Sequence, residues 1–404
     1  MLKNIALLGE IIMSSFNVPL ARSMGRLGTE TAFEVLVKAK ALEAQGRDVV
    51  HLEIGEPDFN TPANISEAAI KAIHEGWTHY GPAAGLPELR KAIAEYISRT
   101  RKIEVVPDEV VVTPGGKPII FFPILALIEE GDEVIYPNPG FPIYESMIKF
   151  AGGKAVPLRI SEEKDFTVDV NELKSKINSK TKLIIINSPA NPTGGVFTKK
   201  DVQDIADIVK NYNCYVMSDE IYSRIMYGHE HFSISSLPGM KERTIILDGF
   251  SKTYAMTGWR AGYGVMNKDL ADMVAKLMTN SNSCTNSFVQ RACVEALQGS
   301  QSEVDKMVAE FQKRRDFIVD GLNKIKGFSC KKPLGAFYVF PNITKTGMES
   351  KKLADYLLNE AGVAALSGTA FGEYGQGYLR FSYANSIENI AKALEKIDKA
   401  IKKL

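Results

Sequence analysis

Short apolar runs of strand length recur through the middle of the chain, separated by amphipathic stretches, and this alternation restricts the accessible folds more than any other feature. The runs are VVVT (110–113), EVIY (133–136), KLIII (182–186), CYVMS (214–218), TIILD (244–248) and AGYGVM (261–266). Among the segments between them, DVQDIADIVKNY (201–212) has the apolar spacing of a helix with one buried face. Strands joined by helical crossovers predict an α/β fold, a mostly parallel central sheet with helices on both faces. Ligands of such sheets sit at the carboxyl ends of the strands, so chemistry is expected in the residues that follow each run.

From about residue 300 the pattern changes to long charged amphipathic helices, 302–325 and 385–403, around the short segment GAFYVFP (335–341). This predicts a smaller α+β domain over 301–404 beside a large domain over 61–300. At 404 residues the chain exceeds the usual single-domain range, in agreement. The stretch 17–60, with the helix-like AFEVLVKAKALEAQ (32–45), is expected to pack with the small domain. Residues 1–16 read as an N-terminal extension. Their apolar run contains Glu10, is too short to span a membrane and lacks a small-residue cleavage site, and Met13 is an alternative start.

Hydrophobic residues make up 45% and charged residues 24%, the composition of an ordinary globular chain. The 49 basic and 48 acidic residues leave a formal charge of +1, so no field favours nucleic acid or an anionic membrane. The expected partners are small molecules and copies of the chain itself. Cys214, Cys284, Cys293 and Cys330 form no CxxC pair, which argues for plain reduced thiols, a cytoplasmic setting and no metal site.

In DGFSKTYAMTGWR (248–260), Lys252 falls four residues after a strand, at the ligand-binding end of the sheet. An amine desolvated there becomes nucleophilic, whereas the plainer reading of any one lysine is a solvated surface residue. Arg260, eight residues on, carries a planar guanidinium suited to bidentate capture of a phosphate. VVTPGGKPIIFF (111–122) is a strand, a glycine pair and then a helix, so the amides of Gly115, Gly116 and Lys117 open a helix toward an anion. It matches neither GxGxxG nor the P-loop pattern, which argues against a dinucleotide or a nucleoside triphosphate. Arg380 lies within the apolar strand-like GYLRFSYA (377–384), where it requires either a carboxylate ligand or an internal salt bridge.

The segment SKTYAMTGWRAGY (251–263) closely resembles the active-site signature of the class I/II aminotransferases, the fold-type I enzymes that depend on pyridoxal 5'-phosphate. The resemblance runs from about residue 20 to the C-terminus, with SDEIY (218–222), NSPANPTGG (187–195), NPGFPIY (138–144), HYGPAAG (79–85) and EIGEPDF (53–59) each in the family's order. It implies that Lys252 carries the cofactor as a Schiff base and then serves as acid and base at the substrate. It implies further that Asp219 pairs with the pyridine nitrogen, Tyr222 and Asn191 reach the phenolic oxygen, and Phe141 stacks on the ring. Gly115, Gly116, Lys117, Ser251 and Arg260 complete the cofactor set. Tyr80 contacts the phosphate in the neighbouring subunit, which makes the active form a homodimer. Arg380, with Asn191 and the backbone of Gly55, takes the substrate's α-carboxylate.

The activity implied is ping-pong transfer of an amino group from an L-amino acid to a 2-oxo acid such as 2-oxoglutarate. Lys117 points to a substrate with a distal carboxylate, and aspartate is the first choice of donor. Other positions depart from the aspartate-specific pattern. Ala32 and Glu34 replace small hydroxyl residues, and Glu34 repels a distal carboxylate unless it pairs with Lys117. No arginine occurs in 276–290, Gly249 stands where many members have serine, and Phe141 where aspartate enzymes often have tryptophan. Alanine, aromatic or other neutral donors are the alternatives, and a carbon–sulfur lyase using the same machinery is another. A transcriptional regulator with an aminotransferase-like domain requires an added DNA-binding module, and only about 20 residues precede the resemblance.

Overall fold

The computed structural model describes residues 18–404, so the extension read over 1–16 and the alternative start at Met13 lie outside the described residues. Seven strands form the main sheet: β1 (Val110–Thr113), β2 (Glu133–Asn138), β3 (Lys154–Arg159), β4 (Thr181–Asn187), β5 (Tyr215–Asp219), β6 (Thr244–Gly249) and β7 (Gly262–Val265). Their order across the sheet is β1-β7-β6-β5-β4-β2-β3. β7 runs antiparallel to both of its neighbours and all other pairs are parallel. Six of these strands coincide with the apolar runs to within two residues. β3 was not expected: it is a half-exposed edge strand of sequence KAVPLR, and a strand with a proline and charged ends shows no apolar run.

Alternation along the strands explains the two-sided covering. Leu183 and Ile185 of β4 join Val134, Met217 and Ile245 under the helices Lys117–Leu127, Ile143–Ala151 and Lys268–Ser281. Ile184 and Ile186 point the other way, with Ile135 and Val216, against helix Lys199–Val209. On that second face Val110, Val112 and Ile246 pack under helices Ala63–His74, Pro87–Arg101 and Ser287–Gln298. Strands buried on both faces are therefore apolar at nearly every position, which is why they stood out in the sequence.

A three-stranded antiparallel sheet of Leu366–Ser367, Leu379–Ser382 and Tyr338–Val339 lies in the C-terminal part, and its core includes residues of helices Ser302–Leu322 and Ile387–Ile401. Val50–His51 pairs in parallel with Val363–Ala364, and Ala39 of helix Thr31–Glu43 packs on Leu358 and Ala364. The N-terminal stretch thus leans on the C-terminal part. No helix among the described residues is long and apolar enough to cross a membrane.

The same alternation sorts three acids at the end of β5 and β6. Asp219 shares its face with its register partners Asn187 and Leu247, while Ser218, Glu220 and Asp248 turn to the opposite face. There the buried Arg101, last residue of helix Pro87–Arg101, donates from Nε to Glu220 (2.7 Å) and from Nη2 to Asp248 (2.9 Å) and Ser223 (2.9 Å). Ser218, Ser233 and His231 complete the shell of Glu220. Burial pushes Glu220 upward, but His231 and Arg101 overcome it and hold the carboxyl well below the usual range. Burial outweighs the pull of Arg101 at Asp248, whose carboxyl is raised to about 6.

Arg101→Leu leaves two buried carboxylates without their shared cation. The expected loss is about 3–5 kcal/mol in urea unfolding, against less than about 1 kcal/mol for Lys268→Met at an exposed helical pair. An equal loss in both variants contradicts the clamp.

Candidate active site

The carboxyl ends of β1, β2, β4, β5 and β6 open on a cavity of about 850 Å³, closed from the other side by residues 30–33, Leu36, residues 54–58, Leu366, Ala370, Phe371, Tyr338 and Arg380. Each strand delivers its residue in the turn that follows it. β1 leads into Gly116 and Lys117, β2 into Phe141, β4 into Asn191, β5 ends on Asp219 with Tyr222 beyond it, and β6 leads into Ser251 and Lys252. Gly55, Arg260 and Arg380 also line the cavity. Two residues of the expected set do not. Gly115 lies just behind the wall at φ +88°, where a β-carbon would meet the Arg260 guanidinium at 2.3 Å. Tyr80 stands outside the cavity and is 89% exposed.

Among the described residues, five charged groups face this space with no ion-pair partner: Lys252, Asp219, Arg260, Arg380 and Glu56, the last accepting a hydrogen bond from Thr257 Oγ1 (2.8 Å). Lys252 Nζ donates to the Gly55 carbonyl at 2.5 Å. Burial pulls its pKa down to about 8; Glu56 opposes the shift, and the nearby Arg380 and Arg260 add to it. Asp219 is buried and accepts only from Tyr144 Oη (2.5 Å) and the Ile221 amide (3.2 Å). Burial raises its carboxyl to about 6, because these two hydrogen bonds offset only part of the desolvation. Arg260 donates to the Thr257 carbonyl (2.8 Å) and the Pro114 carbonyl (3.4 Å). Arg380 donates to Asn191 Oδ1 (3.1 Å) and the Glu53 carbonyl, lies over the rings of Tyr338 and Phe371, and keeps its buried Nε unpartnered. Of the two readings of Arg380, the internal salt bridge is therefore absent among the described residues.

Sequence reasoning missed several residues here. Tyr144, three residues beyond Phe141, enters the same helix start and meets it edge-on, with ring centroids 5.7 Å apart; helical spacing is the signal that links them. Tyr338 shares a hydrogen bond of 2.7 Å with Tyr222 across 116 residues of sequence, and no local pattern announces that. Asn187 Oδ1 accepts from the Asn191 amide at 2.9 Å and shapes the loop. The pairing considered between Lys117 and Glu34 is corrected: the Lys117 ammonium contacts Glu30 instead. Ala32 lines the cavity and Glu34 does not, since the helix beginning at Thr31 turns Glu34 away.

The set fits pyridoxal 5'-phosphate. A depressed amine suits its aldehyde, an unpaired buried carboxylate suits a protonated ring nitrogen, and Arg260 against the glycine turn suits a phosphate. Phe141 forms a flat wall among them. The remaining cation, Arg380, is left for an anionic substrate.

The family model described as aminotransferase class I and II matches residues 47–397. An aspartate aminotransferase of Pyrococcus horikoshii is 43% identical over 371 residues, covering 91% of this chain and 93% of the relative. Aromatic-amino-acid aminotransferase 2 of Thermococcus litoralis is 39% identical over 364 residues, 89% of this chain and 93% of the relative. The solved structure of aspartate aminotransferase from Thermus thermophilus with maleate superposes with a TM-score of 0.92 at 37% identity, covering 95% of this chain and all of that one.

The depressed pKa gives a signed expectation. Lys252 is an ammonium below about pH 8 and a free amine above it, whereas an ordinary lysine loses its proton near 10.5. Reductive trapping of a small aldehyde on the cofactor-free protein, followed by peptide mass spectrometry, is expected to reach half-maximum at Lys252 near pH 8. A half-maximum shared with the surface lysines contradicts the depression.

Proposed function

As a member of the aminotransferase class I and II family, this chain is an aminotransferase, and we propose that aspartate is its leading donor and a 2-oxo acid such as 2-oxoglutarate its acceptor. The observation that carries the reading is the convergence of Lys252, Asp219, Arg260 and Arg380 on one cavity, none of them with an ion-pair partner among the described residues. Pyridoxal 5'-phosphate, the family's cofactor, is held in this reading by Lys252, Asp219, Tyr222, Asn191, Phe141, Ser251, Arg260 and the turn Gly115-Gly116-Lys117. When bound, it supplies an electron sink for the pair of electrons left at the substrate's Cα.

The protein's own groups do the rest. Arg380 grips the α-carboxylate in bidentate fashion with Asn191 beside it, which aims the Cα–H bond at Lys252. The Lys252 amine, its pKa near 8, takes the Cα proton and returns it on the far side of the exchange. Asp219, whose burial without a cation raises its carboxyl, would be held anionic by a protonated ring nitrogen opposite it. Tyr144, which donates to it, sets its position. Lys117 at the outer end of the cavity receives a distal carboxylate. The relatives' donors, aspartate and aromatic amino acids, bracket the substrate class.

In the same reading, residues 61–300 form the cofactor-binding domain and 301–404 the small domain, with 17–60 packed on it. The active form is a homodimer in which Tyr80, exposed here, reaches the neighbouring site. The unpaired cysteines favour a reducing, cytoplasmic setting.

Single-turnover spectra test this. The cofactor-loaded protein is mixed with aspartate, glutamate, alanine, phenylalanine or tyrosine without acceptor. Conversion of the internal chromophore is expected fastest with an acidic donor, and Lys252→Ala is expected to abolish both chromophore and conversion. Arg380→Ala is expected to lower kcat/KM roughly 100-fold for every donor. A loss confined to one donor contradicts the α-carboxylate role, and no conversion by any donor contradicts transamination.

A further inference from the structure

The outer end of the cavity carries a second arrangement of charge. Glu30 sits at the N-cap position of helix Thr31–Glu43, where a side chain ordinarily accepts from the helix amides, yet it makes no capping hydrogen bond. Its carboxylate reaches instead across the cavity to the Lys117 ammonium, the first residue of helix Lys117–Leu127. Glu30 Oε1 is buried and has no other polar partner among the described residues, and Lys117 lies 5.8 Å from the Phe141 ring. The neighbouring charged wall residues are engaged elsewhere: Lys40 with Glu43, His51 with Glu43 and Glu53, Asp58 with Arg314, and Glu56 with the Thr257 hydroxyl. Glu30 and Lys117 are therefore the pair whose exchange is open to a ligand.

We propose that Glu30 is a resident stand-in for a substrate's distal carboxylate, which lets one cavity accept both acidic and uncharged side chains. The proposal rests on Lys117 being the distal-carboxylate contact. Lys117 is half-exposed while Glu30 is largely buried, so the larger cost is that of a Glu30 carboxylate left unpaired in the cavity, and Glu30 stays on Lys117 when the substrate is neutral. When the substrate brings its own carboxylate, one ion pair replaces another and Glu30 swings outward to solvent. The exchange also handicaps acids, because each must displace an attached competitor. Glu30 thus sets the balance between two substrate classes without touching the reacting atoms. Nearby Phe33, Leu36 and Ile54 supply the apolar wall that an uncharged side chain needs.

The experiment compares wild type, Glu30→Gln and Lys117→Met as cofactor-loaded enzymes. Two readouts are taken: calorimetric affinity for succinate and for 3-phenylpropionate, neither of which has an amino group to react, and half-reaction rates with aspartate and phenylalanine. Glu30→Gln is expected to raise the preference for the acid over the aromatic about tenfold in both readouts, the equivalent of one exchanged ion pair. Lys117→Met is expected to push the preference below that of wild type. If Lys117→Met lowers the preference while Glu30→Gln leaves it within twofold or lowers it, the stand-in role is wrong and the Lys117 contact survives. If Lys117→Met moves neither succinate nor aspartate, both fall together.

Discussion

Parallel strands cannot be joined by tight turns, so each must return through a crossover, and their carboxyl ends gather along one edge. Everything chemical in this protein depends on that constraint. β1, β2, β4, β5 and β6 are buried along nearly their whole length and present polar residues such as Asn187 and Asp219 as they leave the sheet. Residues more than a hundred positions apart, Lys117 and Lys252 among them, meet in one cavity for this reason.

The second layer of organisation is electrostatic. Period-two alternation sends Asp219 to the cavity and its neighbour Glu220 to the opposite face. Arg101 saturates Glu220 and Asp248 there, so the rear face is neutralised internally while the front face is left with charges in want of partners. A cation and an anion line the front cavity without pairing with each other. Lys252 is turned to the Gly55 carbonyl and Asp219 to Tyr144, and burial keeps each pKa perturbed. Such sites store reactivity, because the free energy that an internal salt bridge would have released remains for the ligand.

Much of this was legible beforehand. Six main strands, the long C-terminal helices and eleven of the thirteen residues expected at the site fall in the anticipated elements or on the cavity wall. They were legible because the strands are apolar throughout and because the turn residues after them form compact motifs. β3 was hidden, since an edge strand buried on one side needs no apolar run. Tyr338 was hidden because its partner Tyr222 lies on a distant element. Lys117 was given the wrong acidic neighbour, Glu34 in place of Glu30, because the choice depends on where a helix begins and which way its first turn faces.

The sequence by itself determined the α/β class, the edge at which the cavity opens and the residue types available there. These follow from periodicity and from short-range motifs, which are properties of neighbours in the chain. Only the tertiary structure decided which charges are paired and which are left open. Among the described residues Arg380 has no carboxylate within ion-pair distance, Arg101 has two, and Lys117 has Glu30. Pairing is a matter of distance across the fold and of depth below its surface, and neither quantity is written in the order of residues.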